Sequence, residues 1–285
     1  MDATNQRYVK LGLIGHPVSH SISPLLHGAA LSYANIRGEY NLIDVATEDE
    51  LAGRVSELVT EGYEGWNVTV PHKQAMFRLV DEVTNEASKT GAVNTVKVSG
   101  TAAGAKLIGH NTDLGGFKGD LQSFLPESGG LHGMILGAGG AARAAFWALV
   151  ELEAEIIWVV ARNGNQALAL AQCAPNGRAL QIDQAAATDS SLVINCTPIG
   201  LKVQDVPSWV ESLLTASSNR QRYFYDMVYS RTAGDTTLLT RQASAHGWIC
   251  RDGLGMLLNQ AALAFEFWTG IQVPADQLLQ RTQSL

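Results

Sequence analysis

The chain has 285 residues, 46% of them apolar and 16% charged, with a formal net charge of −7. That is enough apolar material for one large domain or two ordinary ones, and it argues against wholesale disorder. The acidic balance argues against a general nucleic-acid binder, which needs a basic footprint on phosphate, yet a local Arg or a helix N-terminus could still hold a small anion.

The three cysteines, Cys173, Cys196 and Cys250, have no paired spacing. Such a sparse, odd set suits a reducing compartment and offers no disulfide or zinc framework. The first seven residues hold no apolar signal core, and no run of about 18 apolar residues occurs. A cytoplasmic protein with no membrane segment is expected.

Residues 8–14, closed by Gly15, read as a buried strand. A helix is expected over 24–33, a strand over 40–45 and an acidic-start helix over 48–60. Residues 66–70 read as a strand stopped by Pro71, with further strand pieces at 93–98 and 106–110. The Pro-, Gly- and Ser-containing stretch 126–133 reads as a loop before a new unit. A β-loop-α-β series follows: strand 134–136, loop 137–140, helix 141–152 and strand 156–161. Later strands are expected at 192–195 and 223–228, then a long apolar helix over 254–269. Strand alternating with helix predicts an α/β fold with mostly parallel sheets. Two domains are expected, 1–114 and 115–252, with 253–285 packing back on the first.

Gly137-Ala138-Gly139-Gly140-Ala141-Ala142 fits the G-x-G-x-x-G/A dinucleotide fingerprint between a strand and a helix. Its glycines allow a tight turn and close approach of backbone to a pyrophosphate at a helix N-terminus. At the end of the next strand stand Ala161-Arg162-Asn163, with no carboxylate to take a ribose 2′-hydroxyl. Arg162 there favours a 2′-phosphate, hence NADP, with NAD the alternative.

Lys73, just past Pro71, and Asp113, read at a strand-to-loop transition, fall where ligands gather in open α/β sheets. A Lys beside a carboxylate can move the proton that ketone–alcohol interconversion requires, although spacing alone also fits a surface pair. His16, His20 and His27 invite a metal reading, but Pro17 and loop-like composition spoil a common face, and no metal is expected. Ser21 or Ser23 as a nucleophile lacks a G-x-S-x-G elbow.

Taken together, these segments resemble the shikimate dehydrogenase family along nearly the whole chain. Residues 15–27 are similar to its N-terminal substrate motif, implying that Ser21 and Ser23 receive the substrate carboxylate. Asn67-Val68-Thr69-Val70-Pro71-His72-Lys73 resembles N-V-T-x-P-x-K, implying catalytic Lys73 and substrate-contacting Thr69. Gly91-Ala92-Val93-Asn94-Thr95 and Asn111-Thr112-Asp113 imply Asn94 as a hydroxyl ligand and Asp113 as catalytic and substrate-binding. Asn195-Cys196-Thr197-Pro198 resembles the loop flanking the nicotinamide, and Gly253 to Gln260 the G-x-G-M-L-x-x-Q helix start. Tyr229 and Gln260 are thereby implied at the substrate, and Asn195, Thr197, Pro198 and Gly253 at the cofactor.

The resemblance implies an N-terminal substrate domain, a C-terminal Rossmann domain and reversible NADP-dependent reduction of 3-dehydroshikimate to shikimate. A shikimate/quinate dehydrogenase is the alternative within the class, and a non-catalytic sensor the alternative outside it. The implied partner is a small molecule, shikimate or a close analogue, and the assembly a monomer or homodimer. Departures occur at Gly28, Ala161, Asn163, Gln166 and Ser230-Arg231, with about two extra residues before Leu238. They suggest a divergent paralogue.

Overall fold

The computed structural model describes residues 8–100, 104–126, 130–200, 206–218, 220–230 and 236–283, the last three by backbone alone. The chain divides into two compact units. One comprises the residues up to Gly116 and from Leu258 onward, and the other is Phe117–Leu257.

The first unit runs β1 (Tyr8–Gly15), α1 (Ser23–Tyr33), β2 (Arg37–Asp44), α2 (Glu48–Thr60), β3 (Gly65–Val68), α3 (Lys73–Leu79), β4 (Glu82–Val83), α4 (Asn85–Thr90), β5 (Thr95–Ser99) and β6 (Lys106–His110). Its sheet has the order β2-β1-β3-β5-β6-β4, parallel throughout except that β5 runs against both neighbours. β1 is interior and buried on both faces, so it reads as a continuous apolar run rather than an alternating one. α2 buries Leu51, Val55 and Leu58, one helical stripe, and its first turn carries Glu48, Asp49 and Glu50 where the helix dipole favours anions. Trp66, Ile14, Leu58 and Val96 lie together in the core on that side.

α5 (Thr112–Phe124) leads into the second unit: β7 (His132–Leu136), α6 (Gly140–Glu151), β8 (Ile156–Val160), α7 (Gly164–Ala171), β9 (Gly177–Leu180), a 3₁₀ segment Ile182–Ala187, β10 (Leu192–Asn195), α8 (Ser208–Thr215), β11 (Tyr223–Asp226), α9 (Leu238–Ala245) and β12 (Ile249–Asp252). α10 (Leu254–Thr269) returns the chain to the first unit, followed by α11 (Ala275–Gln283). The second sheet is wholly parallel in the order β9-β8-β7-β10-β11-β12. Counted from β7 this is the doubly wound order 3-2-1-4-5-6, whose switch point falls between β7 and β10.

Three local readings change. The strand expected to reach residue 70 stops at Val68, because the backbone turns there: Thr69 N–H donates to the Ile14 carbonyl and His72 N–H to the Thr69 carbonyl. Lys73 opens α3, a seven-residue helix too short for its period to stand out. Asp113 lies in the first turn of α5 rather than in a loop, a helix masked in sequence by Gly115, Gly116 and Gly119. The extra residues expected before Leu238 fall at 231–235, outside the described residues. No described helix is long and apolar enough to cross a membrane.

Candidate active site

In the first unit, Lys73 Nζ donates to Asp113 Oδ2 at 2.7 Å. Asp113 is 7% exposed, and its other oxygen accepts from Asn94 Nδ2 at 2.8 Å. A buried carboxylate held this way has its orientation set from both sides. The Asn94 amide is itself saturated. Its nitrogen also reaches Thr112 Oγ1 at 3.0 Å, while its oxygen accepts from Thr112 N at 2.8 Å and Thr95 Oγ1 at 3.0 Å. Two elements meet here, the start of β5 and the first turn of α5, and Asn94 pins one to the other.

Ser21 and Ser23 stand before and at the first residue of α1, their hydroxyls 3.0 Å apart, with Ser23 N–H donating to Ser21 Oγ at 3.2 Å. Ser23 stands near enough to the hydroxyl of Tyr40 on β2 to oppose, in part, the effect of burial on it. Tyr40 in turn donates to Asn67 Oδ1 at 2.8 Å, and Asn67 Nδ2 donates to Thr95 Oγ1 at 3.0 Å. The sheet explains the meeting: Tyr40 pairs in register with Leu11, Leu13 with Asn67 and Asn67 with Thr95, so these residues share one face. His27, 1% exposed, stacks on Tyr40 with centroids 4.4 Å apart and touches Trp268 at 5.2 Å. Its nitrogens make no well-formed hydrogen bond. Burial holds its pKa down at about 3, opposed only by the nearby Asn67 side chain. Burial likewise pushes the Tyr40 hydroxyl pKa up.

Thr69 is half-buried in the loop after β3, against Gly15. The two loops are joined by His16 N–H donating to the Val70 carbonyl at 3.0 Å. Gln260 lies on α10, where Gly116 of α5 comes so close that a Cβ would sit 2.7 Å from the Gln260 nitrogen. His16 pairs with Asp44 at 2.6 Å, apart from the buried His27.

The second unit holds the other set. Gly137 has φ +118, and a side chain there would meet the Cys196 carbonyl at 3.1 Å, so the turn after β7 requires glycine. Ala138 follows; Gly139 caps α6, and Gly140 and Ala141 form its first turn. Nothing lies within 4 Å of where a Cβ on Gly139 or Gly140 would be, which leaves the helix N-terminus open. Ala142 is fully buried and lets the helix sit close to the sheet. These features suit a pyrophosphate and hence a dinucleotide. Arg162 is exposed beyond β8, beside Asn163, which caps α7.

Asn195, at the end of β10, donates to Asp226 Oδ1 at 2.8 Å and to the Ile199 carbonyl, and accepts from Thr197 N–H and Oγ1. It therefore shapes the loop carrying Thr197 and Pro198. Asp226, fully buried, also accepts from Thr237 Oγ1 at 2.6 Å and Val228 N–H at 3.1 Å. Burial, with Asp252 nearby, pushes its pKa up to about 6. Tyr229 follows this strand, half-buried. Gly253 N–H donates to the Val228 carbonyl, and its missing Cβ makes room for the Met227 backbone.

Sequence reasoning missed Tyr40, Asn67 and Thr95 in the first unit and Asp226 in the second. Asn67 and Thr95 stood inside motifs; Tyr40 and Asp226 carried no local signal.

Two family models match the chain: a shikimate dehydrogenase substrate-binding domain over residues 13–96 and a shikimate 5'-dehydrogenase C-terminal domain over residues 253–281. The shikimate dehydrogenase (NADP(+)) of Caldanaerobacter subterraneus is 37% identical over 91% of each chain. The shikimate 5-dehydrogenase of Thermus thermophilus, solved with NADP(H) and shikimate, is 34% identical with TM-score 0.81, covering 97% of this chain and 99% of that one. A quinate dehydrogenase from Corynebacterium glutamicum, solved with NAD, is 28% identical with TM-score 0.85, covering 98% and 99%.

Proposed function

The chain belongs to the shikimate dehydrogenase family, and on that premise we propose that it catalyses the reversible, NADP-dependent reduction of 3-dehydroshikimate to shikimate in the cytoplasm. The observation that carries this reading is the 2.7 Å contact between Lys73 Nζ and Asp113 Oδ2, with Asn94 holding the second carboxylate oxygen.

When bound, NADPH supplies the hydride that reduces C3. As the C3 oxygen gains electron density, Lys73 donates a proton to it; in the oxidative direction the lysine amine takes that proton back. Asp113 holds the ammonium and the hydroxyl in line. Ser21 and Ser23 receive the ring carboxylate, and Thr69, Tyr229 and Gln260 serve the hydroxyls; Asn94 serves one by exchanging a protein partner of its amide for it. Short polar side chains suit a ligand with one carboxylate and several hydroxyls, since each group left unpaired in a closed site costs about 1–3 kcal/mol. On the cofactor side, the open glycine turn at Gly137, Ala138, Gly139, Gly140 and Ala141 would take the pyrophosphate. Arg162 would take the 2′-phosphate, and Asn195, Thr197, Pro198 and Gly253 would frame the nicotinamide.

The test is shikimate-dependent formation of NADPH by the purified chain; its absence would sink the reading. A second reading, oxidation of quinate, is favoured by the likeness to the NAD-bound quinate dehydrogenase. A matrix of kcat/KM for shikimate and quinate under NADP and NAD separates the two. The exposed Arg162, with no carboxylate beside it, predicts a preference for NADP that Arg162→Ala reduces.

A further inference from the structure

The inference rests on the reading above, in which the loop after β10 frames the nicotinamide. β10, β11 and β12 end level with one another: Asn195 pairs in register with Asp226, and Asp226 with Asp252. Each of these residues closes the same kind of turn, its side-chain Oδ1 accepting the backbone N–H two residues on. Asn195 takes Thr197, Asp226 takes Val228 and Asp252 takes Leu254, all at 3.1 Å.

Asp226 does more than close its own turn. Its Oδ1 also accepts from Asn195 Nδ2 at 2.8 Å, and its Oδ2 from Thr237 Oγ1, just ahead of α9, at 2.6 Å. The Asn195 amide is thereby fixed end for end. A carboxylate only accepts, so the atom facing Asp226 is nitrogen; Thr197 N–H only donates, so the atom facing it is oxygen. That oxygen also takes the Thr197 hydroxyl at 2.6 Å, and the Thr197 hydroxyl oxygen accepts from Ile199 N–H at 3.3 Å. Without Asp226, the Asn195 amide nitrogen keeps only the Ile199 carbonyl at 3.3 Å, beyond the usual hydrogen-bond range.

Asp226 is also costly to keep. It is fully buried, and burial, with Asp252 nearby, lifts its pKa to about 6. A carboxylate retained at such a cost, at the carboxyl ends of a parallel sheet where ligands gather, points to a task beyond holding the strands.

We propose that Asp226 is a positioning residue: through Asn195 it holds residues 196–199 in the shape that receives the nicotinamide ring. Fully buried, it touches neither cofactor nor substrate. The glycine turn and Arg162 hold the rest of the dinucleotide without its help.

The test separates the two halves of the cofactor. 2′,5′-ADP carries the adenosine, the 2′-phosphate and one 5′-phosphate, and stops short of the nicotinamide. In titration calorimetry, Asp226→Ala should weaken NADPH binding by about ten-fold, the scale of one lost buried hydrogen bond, and leave 2′,5′-ADP binding unchanged. Asp226→Asn keeps an acceptor for Asn195 and loses only the charge, so it should recover part of the loss. Thr237→Val removes the donor that fixes the other carboxylate oxygen and should weaken NADPH alone in the same way. Circular dichroism establishes that each variant folds, and Thr237→Val carries the test if Asp226→Ala does not. Equal weakening of both ligands would make Asp226 a strut of the whole unit and overturn the proposal. A wild type that binds neither ligand sinks the functional reading and this one with it. A wild type that binds both, beside folded variants with unaltered NADPH affinity, sinks this one alone.

Discussion

In the proposed reaction Lys73 moves the proton, and its removal gives the plainest prediction. Lys73→Ala should lower kcat by roughly 10²–10⁴-fold, the usual loss of a general acid–base group, while shikimate KM changes far less. Steady-state kinetics checks this, and unchanged turnover would remove Lys73 from the mechanism. At this scale the sequence was informative where candidate residues sit in short motifs: Lys73, Asp113 and Asn94, which the structure brings together, and the glycines at 137, 139 and 140 were all singled out. It was silent on Tyr40, which lies 27 residues from Asn67 and meets it only across the intervening strand β1. It was silent too on how fully the Asn94 amide is occupied by protein partners, since hydrogen-bond saturation is a property of three-dimensional neighbours.

Among elements, α1 offers a clean test of helix energetics. Gly28 sits inside this helix, exposed, with nothing within 4 Å of where a Cβ would be. Gly28→Ala should therefore raise stability by about 1 kcal/mol, through helix propensity and the unfolded chain's entropy. A rise in Tm with unchanged kcat/KM is the expected outcome, and a fall would show that Gly28 has a task of its own. Gly116 on α5 is the contrary case, because a methyl group there would press on the Gln260 backbone. Elements with a long apolar pattern, such as Glu48–Thr60 and Leu254–Thr269, were legible to the residue. Short or half-exposed ones, α3, α4, α7 and β9, were not, because four to eight residues hold too few turns or alternations to display a period.

At the scale of the molecule, the two units carry buried titratable groups of opposite sign. His27, held near pKa 3 in the first unit, resists protonation in the folded state. Its contribution is intact above pH 6.5 and is lost as the pH falls towards 3, by about 2 kcal/mol between pH 6.5 and 5. Asp226, raised to about 6 in the second unit, is a burial cost when ionised. That cost is present above pH 6 and is relieved by about 1 kcal/mol on going down to pH 5. Calorimetry between pH 7 and 5 should then show the melting of the first unit moving down and that of the second moving up. His27→Phe should abolish the first trend and Asp226→Asn the second. Parallel shifts that persist in both variants would assign the acid response to other groups.

The division of the chain has a consequence for the order of synthesis. The first unit needs Trp268, whose indole lies over Gly65 and donates to the Val96 carbonyl at 2.8 Å, and Lys97, which reaches the Phe267 carbonyl at 2.9 Å. The second unit is one unbroken stretch, Phe117–Leu257. A ribosome therefore delivers the whole of the later unit before the earlier one has received its closing helix. The segment begun first is finished last, and its strands β3 and β5 must wait, unpaired with Trp268, while the intervening stretch is made and can fold.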